Sequence, residues 1–265
     1  MGPGSRSPRE RGFDVFLLPS EAIPAGMPRS PEGSGRGRMA GQKSFYMVLG
    51  AVAVGGVAWL GMRTLGAPDL PVRAAQGTPD TTGFQGYILG SPDAPVEVVE
   101  YADFQCPACA GFDQVQWPDV KARLVDTGKL RFRYRDYPLD DIHPFARLAA
   151  HTAACANDQG RFWQIKERLY ARQNDWAYVG SEGKAYDVFT EIAGAVGLDV
   201  GAWQGCMEAG THAARIEASH AEALRVGAPS TPTFLLAGRI YPGMNAEMMV
   251  QLVDSLIASQ AAPTE

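Results

Sequence analysis

The sequence predicts an α/β protein whose small mixed sheet is divided into two halves by a helical insertion. An apolar run at Val96–Tyr101, a helix-like segment and an alternating run at Leu130–Arg135 give the order β-α-β. Apolar residues then recur at helical spacing across residues 143–225. A strand at Thr233–Ala237, a short partner strand and an amphipathic helix at Asn245–Ser259 give the order β-β-α. The two halves must join around the insertion.

Length and composition restrict the class of protein. The chain has 265 residues, enough for one sizeable domain with extensions. Its net charge of -5 argues against a nucleic-acid surface. Four cysteines are too few for a disulfide-dense scaffold, but they allow one reactive pair and one structural pair.

The N-terminal part of the chain predicts a membrane anchor. Residues 1–38 are rich in Gly, Pro, Ser and Arg, so we expect disorder, and Met39 suggests that Met1 is a mis-assigned start. Residues 39–65 form a predicted signal-anchor with an uncharged stretch at 45–62, near the minimum length that spans a bilayer. Basic residues are denser before it, which places the rest of the chain outside the cytoplasm. A cleaved signal peptide is the alternative, giving a secreted or periplasmic protein.

The remaining elements follow in order. Residues 66–85 are a Pro/Gly/Thr/Ala linker, too short for a separate dimerisation domain, so we expect a monomeric catalytic domain. Gly86–Gly90 is predicted as an edge strand. The helix from Cys106 to about Thr127 is predicted to bend at Pro118. The helical insertion covers about 140–226.

The motif Cys106-Pro107-Ala108-Cys109 carries the predicted chemistry. A strand that leads into a Cys-x-x-Cys at a helix start is a disposition for thiol–disulfide exchange. The helix N-terminus favours an anion, so Cys106 is the predicted nucleophile and Cys109 the resolving sulfur. Pro107 suits the first helical turn because it lacks an N–H. Zinc usually needs four ligands, so we predict no metal site.

The other cysteines and the histidines complete the candidate residues. Cys155 and Cys206 both lie in the insertion, and outside the cytoplasm they would pair as a structural disulfide. Two buried free thiols are the alternative. His143 is predicted as a helix-start residue rather than a catalytic one, and the other histidines show no shared ligand spacing.

Several segments resemble the DsbA-like thiol:disulfide oxidoreductases, in the branch with a Phe-Gln-Cys-Pro-x-Cys active site. They are Glu100-Tyr101-Ala102-Asp103-Phe104-Gln105-Cys106-Pro107-Ala108-Cys109, Arg135-Asp136-Tyr137-Pro138-Leu139, Cys155-Ala156-Asn157-Asp158-Gln159-Gly160-Arg161-Phe162-Trp163 and Ser230-Thr231-Pro232-Thr233-Phe234. The resemblance implies a thioredoxin fold over residues 86–260 with an inserted helical subdomain, followed by a tail at 261–265.

The resemblance also implies roles for individual residues. Pro232 would be a cis proline facing the cysteines, although an ordinary trans turn is the alternative. Thr231 would offer backbone groups to an extended substrate, with Pro107 and Ala108 completing the substrate-binding set. Glu100 would be a buried carboxylate that assists proton transfer at Cys109, unless it is a solvent-facing strand residue. Strongly oxidising members of the family carry histidine where this chain has Ala108.

The predicted function is a membrane-tethered oxidase that exchanges the Cys106–Cys109 disulfide with cysteines of exported proteins. Its own disulfide carries the electrons, so no cofactor is expected, and the family implies reoxidation by a DsbB-like membrane partner. A thiol reductase of the same fold is one alternative. A copper-delivery module that uses Cys106 and Cys109 is another.

Overall fold

A computed structural model describes residues 72–79 and 83–261. Its six strands form one mixed sheet in the order β1-β6-β5-β3-β4-β2. The strands are β1 (Arg73–Ala74), β2 (Tyr87–Leu89), β3 (Val96–Ala102), β4 (Leu130–Asp136), β5 (Thr233–Leu236) and β6 (Arg239–Pro242). The predicted disorder at 1–38 and the predicted anchor at 39–65 lie outside the described residues.

The helices fall into three groups along the described chain. The first follows β3 and consists of α1 (Pro107–Gly111) and α2 (Trp117–Val120), with π-helical turns at Phe112–Gln116 and Lys121–Val125. The insertion contains α3 (Ala146–Asn157), α4 (Phe162–Ala171), α5 (Gln173–Trp176), α6 (Glu182–Ala195), α7 (Val200–Ala209) and α8 (Ala213–Val226). The last is α9 (Ala246–Ala261).

The two halves of the sheet meet at strand β3. It pairs in parallel with β4, from Val96 opposite Leu130 to Ala102 opposite Asp136. On its other side it pairs antiparallel with β5, where Tyr101 lies opposite Thr233. The predicted order β-α-β, helices, β-β-α is therefore confirmed, and the segment that leads to the Cys-x-x-Cys is the central strand.

Alternate residues of the central strands serve opposite faces of the sheet. Val98, Phe234 and Leu236 belong to the core beneath the first helical group and α9. Val99 and Leu235 belong to a smaller core with residues of α8. Because side chains alternate along a strand, Glu100 points to the same face as Val98, toward the helix that carries the cysteines.

The helical stretch 107–125 does not run as a simple α-helix with a bend. Two of its turns are π-helical: Trp117 N–H donates to Phe112 O, and Asp126 N–H donates to Lys121 O at 2.8 Å. Pro118 has no N–H for the carbonyl four residues earlier, and one π-helical turn ends at Gln116, two residues before it. The sequence correctly predicted an irregularity near Pro118, but it predicted a bend and not π-helical turns.

The predicted linker is partly held in place. Within 66–85, Arg73–Ala74 pairs with β6 as an edge strand, and Gln76 N–H donates to Val226 O at 3.0 Å. This pairing uses only backbone groups, so it left no apolar pattern in the sequence. Across 72–79 and 83–261, none of the helices combines the length and apolar character needed to cross a bilayer.

Candidate active site

Cys106 lies at the junction of the central sheet and the first helix. It is the N-cap residue of α1, and Pro107 occupies the first helical turn as expected. The residue is 7% exposed, whereas Pro107 and Ala108 are exposed beside it. The Cys106 thiol donates to the Thr231 carbonyl oxygen, with Sγ at 3.4 Å from it. The nucleophile is thus reachable but held against the loop that precedes β5.

Hydrogen bonds lower the pKa of Cys106 to about 6. The largest cause is the hydrogen bond from the Cys109 thiol, and burial partly opposes it. Further hydrogen bonds come from Thr231 and from the backbone N–H groups of Cys109 and Ala108. Ala108 therefore contributes through its backbone, although its methyl side chain brings no charge. A thiol with this pKa is largely thiolate at neutral pH.

Cys109 has the opposite character. It lies one turn into the helix and is fully buried. Burial raises the pKa of Cys109 well above its ordinary value, and the neighbouring Cys106 and Glu100 raise it further. Both thiols are free in this structure, which therefore represents the reduced form. One sulfur is poised as a thiolate and its neighbour stays protonated.

Glu100 lies buried in the central strand beneath this helix. Burial raises the pKa of its carboxyl group to about 8, and the charge of Lys166 partly offsets the effect. Its Oε2 atom has no hydrogen-bond partner in the described chain. The solvent-facing alternative for Glu100 is wrong, because the residue is 1% exposed. A carboxyl group with this pKa can exchange a proton near neutral pH.

A buried ion pair lies near Glu100. Lys166 of α4 donates through Nζ to Asp113 Oδ2, and both side chains are almost completely buried. Lys166 also lies over the ring of Trp117, 4.9 Å from its centroid. These charged groups act on Glu100 in opposite directions, because Lys166 lowers its pKa and Asp113 raises it. The pair was not identified from the sequence, where its members are 53 residues apart.

The Thr231–Pro232 peptide bond is cis. The trans alternative is therefore wrong for this structure. The Thr231 carbonyl faces the Cys106 sulfur, and Gly243 N–H donates to Pro232 O at 3.0 Å. This loop therefore brings the backbone of Thr231 to the reactive sulfur.

Asp103 and His143 form a second polar pair beside the motif. Asp103 Oδ1 accepts from Gln105 N–H at 2.6 Å, and Oδ2 lies 2.7 Å from His143 Nδ1. The hydrogen bond to Asp103 raises the pKa of His143, and the nearby Cys106 adds to the effect. His143 precedes α3, as predicted, and its carbonyl oxygen accepts a hydrogen bond from the N–H of Ala146, the first residue of that helix. Its side chain, however, belongs to the site, which the sequence analysis missed.

The helical insertion also fixes the loop before the cysteines. Gln173 of the insertion donates through Nε2 to Phe104 O at 2.8 Å and to Cys106 O at 3.0 Å. Gln105 donates to Ala177 O at 2.7 Å and accepts from Phe145 N–H at the same distance. These contacts bridge 40 to 72 residues of sequence, so no local pattern signals them.

A cavity of about 320 Å³ lies beside the exposed edge of the motif. Pro107, His143 and Ala177 line it, together with Ile142 and Tyr178. The last two are large side chains that are nevertheless 67% and 69% exposed. Exposed apolar side chains beside a reactive group are typical of a binding surface for another chain.

Cys155 and Cys206 form a disulfide within the insertion. It joins α3 to α7, and Cys155 is fully buried. The alternative of two free thiols therefore does not apply. Two histidines, His151 and His212, lie near this bridge, although their spacing in the sequence suggested no shared site.

The comparisons with known proteins agree with this arrangement. The family model described as Thioredoxin matches residues 83–255. The chain belongs to the thioredoxin family. Among solved structures, this thioredoxin-family chain resembles alpha-DsbA1 from Wolbachia pipientis, with a TM-score of 0.59 and 22% identity. The match covers 65% of this chain and 90% of that one. It shows a shared fold, as the resemblance implied.

Among the relatives that are similar in sequence, two differ in kind. The Na(+)/H(+) antiporter NhaA 3 of Salinispora tropica is 34% identical over 174 residues. The match covers 65% of this chain but only 25% of the antiporter, so the chain spans about a quarter of that relative's length. A Bacillus anthracis protein described as "Probable disulfide bond formation protein D" is 36% identical over 85 residues, covering 32% of this chain and 39% of that protein.

Proposed function

We propose that this thioredoxin-family chain is a thiol:disulfide oxidoreductase that oxidises cysteine pairs of exported proteins. The observation that carries the proposal is the contact of the Cys106 sulfur with the Thr231 carbonyl, above a buried Cys109. A reactive thiolate, a more deeply buried second thiol and an adjacent backbone segment are the parts that dithiol exchange with a protein chain needs. The relative described as a disulfide bond formation protein supports the same chemistry.

The proposed oxidation begins from the Cys106–Cys109 disulfide. A substrate thiolate attacks Cys106, the bond between the two enzyme sulfurs breaks, and Cys109 leaves as a thiolate. Because Cys109 is buried and its pKa is raised, the leaving sulfur takes up a proton. Glu100, which begins this step protonated, is the nearby group that supplies the proton, since its pKa is about 8.

The second step releases the product. Another thiolate of the substrate attacks the sulfur bound to Cys106, which forms the substrate disulfide and frees the Cys106 thiolate. That leaving group is stable because the pKa of Cys106 is about 6. Two electrons have moved from two substrate thiols to the enzyme pair. Thr231 offers its backbone to an extended substrate, and the cavity beside Pro107 accommodates neighbouring apolar side chains.

Whether the chain acts as an oxidase or as a reductase depends on whether its dithiol form or its disulfide form is the more stable. A stabilised Cys106 thiolate favours the reduced enzyme, which makes the disulfide form an oxidant. Ala108 brings no cation, and this favours the reductase alternative. Against that, the hydrogen bond with Asp103 raises the pKa of His143, so the imidazole is more readily protonated. The Cys106 thiolate also raises this pKa, which shows that His143 is close enough to supply a positive charge to the site. We therefore favour an oxidase.

The setting of this reaction is part of the proposal. The predicted anchor at 45–62 would hold the domain outside the cytoplasm, at the inner membrane, where disulfides persist. Exported proteins with cysteines are then the substrates. A DsbB-like membrane protein would reoxidise the Cys106–Cys109 pair, and no dissociable cofactor is required.

The test combines trapping with a redox measurement. The Cys109→Ala variant, expressed in the native cell, is expected to accumulate mixed disulfides between Cys106 and exported proteins. Cys106→Ala is the matched control and should trap none. A reduction potential well above about -270 mV, the value typical of thioredoxin, supports the oxidase. A potential at or below that value supports the reductase. Stoichiometric copper retention without dithiol oxidation would overturn both.

A further inference from the structure

The disulfide of the insertion lies in a cluster of metal-ligating side chains that the proposed oxidation does not use. Suitable atoms of His151, Cys155 and Cys206 all lie within 4.8 Å of one another. Those of Asp158, Cys206 and His212 do so as well. The two groups share Cys206, so the Cys155 sulfur and the imidazoles of His151 and His212 each have a ligand atom within 4.8 Å of the Cys206 sulfur.

The elements explain this convergence. His151 and Cys155 are four residues apart on α3 and therefore share one helix face. Cys206 is on α7, and His212 follows in the short connection to α8. The backbone N–H of His212 donates to His151 Nε2 at 3.4 Å, which holds the two histidines together.

We propose that reduction of the Cys155–Cys206 disulfide converts this cluster into a binding site for Zn²⁺, with Cys155, Cys206, His151 and His212 as ligands. Two thiolates and two imidazoles are a common structural zinc set. Zinc holds sulfur at about 2.3 Å and nitrogen at about 2.0 Å in a tetrahedron, so its ligand atoms are roughly 3.5 Å apart. A ligand atom of each of the other three residues lies within 4.8 Å of the Cys206 sulfur, so small movements bring them toward that geometry.

The oxidation state of Cys155 and Cys206 controls zinc binding, because thiolates, not disulfide sulfurs, are strong zinc ligands. A dithiol reductant gives two electrons to the S–S bond, which breaks as each sulfur gains a proton, and the reductant becomes a disulfide. Zinc binding then releases both thiol protons to solvent. Two thiolates neutralise the 2+ charge of the ion, so a neutral centre replaces a neutral bridge.

Asp158 is the positioning residue of this site. Its Oδ2 lies 2.6 Å from His212 Nε2, and it also lies 3.8 Å from Cys206 Sγ. A carboxylate that binds one ring nitrogen of a histidine orients the other nitrogen toward a metal. Arg215 is a nearby cation, but it is engaged elsewhere: its guanidinium donates to Ala154 O at 2.8 Å and lies 4.5 Å from the ring of Phe84.

The site also has an entry path. A cavity of about 250 Å³ opens beside His151, between α3 and α8, and Arg147, Glu182 and Ile216 also line it. The Asp158 side chain, which belongs to the cluster, is about half exposed. An ion can therefore arrive from solvent without unfolding the insertion.

The test uses zinc itself as the probe. In the full chain, Cys106→Ala and Cys109→Ala remove the other thiol pair. After reduction with a phosphine, we expect one equivalent of Zn²⁺ per chain by calorimetry, and a thiolate-to-metal charge-transfer band with Co²⁺. The oxidised chain should bind at least ~100-fold more weakly. His151→Ala and His212→Ala should each weaken binding by more than about 10-fold, and Asp158→Asn by about 10-fold.

The control is His220→Ala, which changes a histidine of the same insertion that packs on Tyr137 instead. It should leave zinc affinity unchanged. A reduced chain that keeps its native circular dichroism and binds no zinc overturns the proposal. So does a zinc affinity that is unchanged in both His151→Ala and His212→Ala, or that is the same in the oxidised and reduced chains. If reduction unfolds the chain, refolding by zinc supports the site, and failure to refold contradicts it. None of these outcomes depends on the chemistry of Cys106.

Discussion

At the scale of single residues, the site obtains its reactive thiolate without a charged side chain inside the motif. The pKa of Cys106 is lowered chiefly by the hydrogen bond from the Cys109 thiol. A smaller contribution comes from the side chain of Thr231, which is 125 residues away in the sequence. Because this folded pKa is below that of a free thiol, the thiolate stabilises the folded reduced chain fully only above about pH 8.5. That contribution is lost as the pH falls through about 6.

The first prediction concerns the hydrogen bond between the two thiols. In the reduced wild-type chain, alkylation of Cys106 by iodoacetamide should reach half its maximal rate at a pH of about 6. Cys109→Ala removes the largest cause of the lowered pKa, so the midpoint should move upward by about one pH unit or more. Stopped-flow alkylation between pH 4 and 9 measures both, and an unchanged midpoint would show that the helix terminus alone sets the pKa.

The second prediction concerns the buried carboxyl group of Glu100. Burial raises its pKa from 4.5 to about 8, so its ionisation favours the unfolded chain as the pH rises through this window. Glu100→Gln should therefore lessen the fall in the free energy of unfolding between pH 5 and 8. At pH 7 the difference from wild type should be on the order of 3 kcal/mol. Urea unfolding of the oxidised chain at several pH values measures this difference.

A matched control is available on the surface of the insertion. Glu191 is 65% exposed and paired with Arg172, so Glu191→Gln should keep the wild-type pH dependence. If Glu100→Gln also keeps it, the carboxyl group is not destabilised by burial, and its proposed proton transfer to Cys109 loses its basis. The same variant should slow the attack on Cys106 in which Cys109 leaves.

At the scale of elements, the insertion and the first helical group are joined by buried polar contacts as well as by apolar packing. The Lys166–Asp113 pair links α4 to the π-helical turn after α1, and Gln173 of α5 holds the backbone at Phe104 and Cys106. A buried pair is costly to break because the remaining charge has no partner. The reactive loop is therefore positioned by a subdomain that follows it in the chain.

The third prediction is a double-mutant cycle at this pair. Lys166→Met leaves Asp113 buried without its partner and should cost about 3–5 kcal/mol of unfolding free energy. Adding Asp113→Leu should recover most of that loss, because no buried charge remains. As a comparison, Lys121→Met breaks the exposed pair with Asp126 and should cost about 1 kcal/mol or less. Additive losses at Lys166 and Asp113 would contradict the coupling.

The fourth prediction concerns the disulfide of the insertion. The bridge joins residues 51 apart, so Cys155→Ser with Cys206→Ser should cost about 4 kcal/mol in the chain-entropy model. Thermal unfolding measures that loss. Oxidation of a model dithiol by Cys106 should stay within about twofold of wild type below the lowered melting temperature, since the bridge joins α3 to α7 and neither cysteine takes part in the proposed exchange. Lost turnover in a folded variant would instead indicate electron relay through the bridge.

At the scale of the whole molecule, local patterns predicted the elements, and contacts between distant segments decided the site. The alternation at Leu130–Arg135 and the Cys-x-x-Cys after β3 carry their meaning within a few residues, so the sheet halves were predictable. The pairing of Asp103 with His143, and the convergence of His151 with His212, depend on how helices pack. Neither leaves a spacing rule in the sequence, and both were missed.

The fifth prediction concerns the N-terminal segment, which lies outside the described residues. If the stretch at 45–62 is an uncleaved anchor, the full chain should stay with the membrane fraction after an alkaline wash. Deleting 45–62 should release it, while the rate of dithiol oxidation in vitro stays unchanged. Mass spectrometry of the native N-terminus provides the decisive control: a chain that begins after residue 62 would establish a cleaved signal peptide instead.

The division of the sheet by the insertion has a consequence for biosynthesis. As the chain leaves the ribosome, Cys106, Cys109 and Cys155 emerge before Cys206, and the segment at Thr231 follows later still. Four cysteines allow three complete pairings, of which one is native. Until α7 is complete, the nascent chain can form a bridge only between wrong partners or within the reactive motif. A protein proposed to insert disulfides into others therefore faces the same sorting problem during its own synthesis.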